Sequence, residues 1–78
     1  MNSLKLFQNE ATGVVTVTEN SQYNKLRAEK IIVLAHVTAR AYGEVVDVVL
    51  HEGAVFNFHG KIKGSVENLG GVYHVFPL

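Results

Sequence analysis

Four histidines, at positions 36, 51, 59 and 74, are the side chains of this 78-residue sequence best suited to holding a metal or moving a proton. A zinc site needs three or four ligands converging at about 2 Å. None of the four stands in the H-x-H or H-x-x-x-H spacing that brings two ligands together on one element. His51 and His59 share a parity that would let them meet across neighbouring strands. With no cysteine present, thiolate catalysis, Cys-ligated zinc and iron–sulfur chemistry are all excluded. The histidines therefore read as surface or interface residues, with no metal and no cofactor expected.

Nucleophilic catalysis would have to combine the lone Asp47 with one of those histidines and Ser3, Ser21 or Ser65. No serine stands in a G-x-S-x-G elbow, and so short a chain rarely builds both a pocket and an oriented triad. Gly60-Lys61-Ile62-Lys63-Gly64 lacks the Gly-Lys-Ser/Thr ending of a phosphate loop, and no helix signal follows it. It reads as a strand with two bends. The chain is accordingly expected not to be an enzyme. Lys61 and Lys63, alternating with apolar residues and without stacking aromatics beside them, read as an edge strand guarded against aggregation. The side chains left for recognition are large and apolar. Tyr42, Phe56, Phe58, Tyr73, Val75 and Phe76 are the candidate interface residues, because aromatics dominate binding hot spots; for Phe56 and Phe58, core packing is the stronger reading.

These residues are positioned by strands. From Val46 onward apolar residues recur at even positions (Val46, Val48, Leu50, Ala54, Phe56, Phe58, Ile62, Val66, Val72, Phe76), with Asp47, His51, Asn57, His59, Lys61, Lys63 and Glu67 between them. A two-residue period is that of half-buried strands. Glycines at 53, 60, 64, 70 and 71 punctuate it as turns or tight bends. Leu4 to Gln8 and Val14 to Glu19 read as two short strands, a hairpin joined through Asn9 to Gly13. Both ends, Leu4, Leu6 and Phe7 at one and Val72 to Phe76 at the other, are expected to pair or pack. The middle supports two readings. Ser21 as N-cap, a polar stripe at Lys25, Glu29, His36 and Arg40, and Gly43 as a stop describe a helix over 21–42. The alternation from Ala35 to Tyr42 and the β-branched run Ile31-Ile32-Val33 describe strand. The expected fold is one mainly β domain over 1–78, a small antiparallel sheet or short solenoid with one short helix near 21–28; the alternative is α+β with a helix over 21–42.

Composition narrows the partners. Hydrophobic residues make up 47% of the chain and charged residues 18%, apolar for a domain with so high a surface-to-volume ratio. Part of that surface is expected to lie against another subunit. Seven basic and seven acidic residues cancel, whereas a protein that grips phosphates by counterion release carries a basic excess. Nucleic acid is not expected as a partner. No apolar run approaches the roughly 20 residues that cross a bilayer, and the start MNSLKLFQNE lacks the layout of a signal peptide. The expected setting is the cytoplasm, or a virion assembled there, with no membrane association.

Four stretches, Ala28 to Val33, Tyr42 to Val45, Val48 to Val55 and His59 to Glu67, resemble the rungs of bactofilins in their alternating valines and spaced glycines. The resemblance covers about residues 28–67. It implies a β-solenoid that polymerises end to end without nucleotide, and it carries no catalytic residue. The function expected is that of a non-enzymatic, self-associating structural protein, a filament, virion or scaffold subunit whose apolar excess is buried by copies of itself. The alternative is a small binding or inhibitory protein of the kind phages and plasmids encode, docking one face or edge on a host protein.

Overall fold

The computed structural model describes residues 4–77 and contains seven strands and no helix among them. They are β1 (Lys5–Phe7), β2 (Ala11–Val17), β3 (Ser21–Val33), β4 (Thr38–Leu50), β5 (Val55–Ile62), β6 (Val66–Asn68) and β7 (Val72–Phe76). Every pairing is parallel: β1 and then β2 follow one another along β3, β3 runs along β4, β4 along β5 and then β6, and β5 along β7. Residues directly above one another are about 17 apart in sequence, as in the column Ala39, Phe56, Tyr73. The chain is thus a β-solenoid of about four turns.

The burial pattern shows how each turn closes. In β3 the buried residues are Ser21 and Tyr23, then Leu26 and Ala28, then Ile31 and Val33. Within each pair the spacing is the two residues of a strand; between pairs it is three, so the parity of inward-facing side chains flips. A parity flip without loss of burial means that the chain has turned a corner and begun a new face. Each turn therefore has three faces, and register irregularities at Tyr23/Leu26 and Gly13/Val14 fall at two such corners. On β4 the first corner is made by Gly43 (φ 137°) instead, with Gly60 (φ 154°) stacked above it on β5. A Cβ on Gly43 would collide with the carbonyl of Leu26, and one on Gly60 with the carbonyl of Gly43. The third corner uses left-handed backbone at His36, Gly53 and Gly70.

Inside the coil, Val17, Leu26, Ile31, Val33, Val45, Val48, Leu50, Phe56 and Phe58 are at most 1% exposed. Full burial of such side chains is worth about 1.5 to 3 kcal/mol each. Polar ties hold the turns in line: Asn20 Oδ1 accepts from the Thr38 amide at 2.8 Å, and Asp47 Oδ1 accepts from the Ser65 amide at 3.1 Å and the Ser65 hydroxyl at 3.3 Å. Burial also pushes the Tyr23 phenol above its ordinary range.

Three sequence expectations are corrected. The sheet is parallel, not antiparallel: Gly60, read as a turn or tight bend, and Gly43, read as a helix stop, are corners within continuous strands, and a strand's parallel neighbour is reached by way of the other two faces of the coil. There is no helix over 21–28 or 21–42, because the five-residue repeat of a three-faced turn places apolar residues three apart at every corner, which imitates helical spacing. Nor do β1 and β2 form a hairpin; each pairs in parallel with β3, and Gly13 lies inside β2. The short solenoid, the remaining expectation, is what the chain forms.

Candidate interaction surface

The side chains that could do chemistry are scattered. His36 and His51 lie at or beside the third corner, and His59 and His74 on the outer side of the first face, in different columns. His51 and His59 do not share a column, so the contact suggested by their parity is not made. Among the described residues no group of three or more His, Cys, Asp or Glu is arranged to hold a metal ion. Ser21 is buried and donates to the Glu19 carbonyl at 2.6 Å, Ser65 is committed to Asp47, and Ser3 lies outside the described residues. The concave places on the surface are open grooves beside the glycine corner. One of them is crossed by an ion-pair chain, with Arg27 Nη2 3.8 Å and Lys63 Nζ 3.0 Å from the two oxygens of Glu44. The hydrogen bond from Lys63, then its charge, holds the Glu44 carboxyl below its ordinary range.

The apolar surface, by contrast, is concentrated. Most of the exposed large hydrophobics lie on the last turn: Leu69, Val72, Tyr73, Val75 and Phe76, each 41 to 53% exposed. Strand β7 pairs with β5 on one side, and among the described residues nothing pairs with its other side. Tyr73 stacks in register on Phe56 and Val75 on Phe58, so both point into the bore of the solenoid, where in every lower turn the side chain is covered from above. On the outer side, Phe76 tops a ladder of rings: Tyr42 to His59 at 4.7 Å and 14°, then His59 to Phe76 at 4.7 Å and 18°. The six interface residues named from sequence therefore fall in three columns of the first face. Tyr73, Val75 and Phe76 form the open surface. Phe56 and Phe58 are core beneath it, and Tyr42 is the half-buried base of the ladder. Val72, Leu69 and His74 belong to the same end and are not among the six interface candidates, although Val72 lies in the run expected to pair or pack; the 17-residue offset that puts Val72 over Val55 and His74 over Asn57 is the signal that could have added them.

The rest of that end is more polar, while the opposite end carries apolar surface as well as charge, with Leu6 on β1 50% and Val14 on β2 61% exposed and, among the described residues, only β3 pairing with either strand. Lys61 and Lys63 stand on the fourth turn beyond the reach of β7, which covers only Val55 to His59. At the amino-terminal end Lys5 occupies the column of Ser21, its ammonium 3.2 Å from Glu19 and 5.4 Å from the centre of the Phe7 ring. In stacked-repeat proteins a polar terminal repeat keeps the core from offering itself to neighbours; among the described residues none covers the β7 edge. Compared with known proteins, the chain finds no counterpart, since no family model, no curated protein and no solved structure matches it.

Proposed function

We propose that this chain is a non-enzymatic structural module that associates with copies of itself through the open carboxy-terminal turn, as a subunit of a filament, scaffold or virion, in the manner its bactofilin-like rungs suggest. The observation that carries the reading is the apolar β7 edge: an unpaired strand with Tyr73 and Val75 at the mouth of the bore. An unguarded flat edge is a template for pairing, and natural sheets that stay monomeric blunt such edges with charge, proline or a bulge. Here charge guards the neighbouring part of the same end but not β7. A formal net charge of zero adds no long-range repulsion between copies. The test is the double variant Tyr73→Asp/Val75→Asp, which places carboxylates at the mouth of the bore. It should keep the far-ultraviolet spectrum of the parent while its mass by light scattering falls to that of one chain. A variant that assembles as the parent does would overturn the reading.

A further inference from the structure

Resting on that reading, we infer that the partner of β7 is the β7 of a second copy, paired antiparallel about a two-fold axis through His74. The register follows from the hydrogen bonds that β7 already makes. The Val72 amide donates to the Ala54 carbonyl at 2.8 Å, so Val72 turns its backbone groups toward β5. In a parallel ladder alternate residues face opposite neighbours. His74 and Phe76 therefore also face β5, while the N–H and C=O of Tyr73 and of Val75 face outward, unpaired.

A two-fold through His74 sets Tyr73 opposite Val75 of the partner subunit, Val72 opposite the partner's Phe76, and His74 opposite the partner's His74. The free backbone groups then meet their complements, because each Tyr73–Val75 pair exchanges both of its hydrogen bonds, and His74 falls at a non-hydrogen-bonded pair. Side chains match as well. Tyr73 and Val75 meet across the mouth of the bore, and Val72 meets Phe76 on the outer side. Neighbouring registers fail on this chain's own residues. Moving the axis to Val75 sets Tyr73 against Pro77, which has no N–H to give. Moving it to Tyr73 sets Val75 against Gly71, whose N–H and C=O are already held by Asn68, at 2.7 and 3.0 Å. An axis between residues would set inward side chains against outward ones. The strand is self-complementary in one register, which is what an isologous interface requires.

Because the chain has no cysteine, an introduced thiol reports this geometry alone. Opposed residues in a non-hydrogen-bonded antiparallel pair lie about 4.5 Å apart at Cα, inside the roughly 4.4 to 6.8 Å range of a disulfide. Under mild oxidation His74→Cys should become a disulfide-linked dimer as its major species. Val72→Cys should stay monomeric on a denaturing gel, and mixing it with Phe76→Cys should produce the crossed dimer. All three positions are on the outer side, so circular dichroism of each variant should match the parent. Equal cross-linking of Val72→Cys and His74→Cys would overturn the register, as would an assembled parent whose His74→Cys variant does not cross-link; either result leaves self-association standing. A parent that is monomeric throughout would overturn both.

Discussion

Gly43 and Gly60 stack at one corner with no room beneath them: a methyl group on either meets the carbonyl of the turn below, and both lie at positive φ. Alanine at either position combines overpacking with backbone strain and should cost about 3 kcal/mol or more. Gly13 provides the control, because its φ of 72° is left-handed yet nothing lies within 4 Å of the added atom. Gly13→Ala should cost about 1 kcal/mol. Urea denaturation of the three variants checks the ordering, and equal losses would show that the stacked corner does not constrain the fold. Glu44 supplies a pH signature. Its carboxyl is held low by Lys63, so its contribution to stability is present above the unfolded carboxylate range and is lost as pH falls through the folded value. Melting temperature should therefore decline less steeply on acidification in Glu44→Gln than in the parent; parallel acid limbs would contradict that assignment.

At the scale of elements, β7 both roofs the first face and forms the proposed contact. Removing residues 72–78 uncovers Phe56 and Phe58, which are fully buried, and removes the pairing edge. The truncated chain should lose assembly and melt at lower temperature; one that kept both its mass and its melting temperature would refute the role given to this strand. The strand content was legible in the sequence because the even-position apolar run from Val48 to Phe58 obeys a two-residue period. The handling of corners was not. Val46 belongs to that run by parity yet is 39% exposed, because it stands at a corner where inside and outside exchange. The same exchange, repeated at Tyr23/Leu26 and Ala28/Ile31, made β3 resemble a helix. Direction was hidden for another reason: parallel and antiparallel neighbours share one period, and only the 17-residue offset between columns distinguishes them. Of the candidate interface, Tyr73, Val75 and Phe76 were legible as apolar residues near the end of the chain. His74 was not, since its importance comes from lying midway between Tyr73 and Val75 on a strand with one free edge.

The whole molecule is asymmetric along its axis. One end carries Lys5, paired with Glu19 and set over Phe7, beside the edge of β2 left free among the described residues; the other carries the β7 edge, with Tyr73 and Val75 at the mouth of the bore, beside Lys61 and Lys63. On the proposed reading the solenoid should associate through its carboxy-terminal end first, where Val72, Tyr73, Val75 and Phe76 are exposed together on β7. A two-fold contact there closes a dimer, and larger assemblies would then need the amino-terminal ends, where Leu6 is half exposed. Small domains without disulfides often draw on association for stability. Mass action then ties melting temperature to protein concentration. The most direct test of self-association is the solution mass of the unmodified chain, by light scattering on a sizing column, over about a hundredfold range of concentration. A mass that rises from one chain toward two or more as concentration increases is the predicted result. A mass of one chain at every concentration would contradict the account.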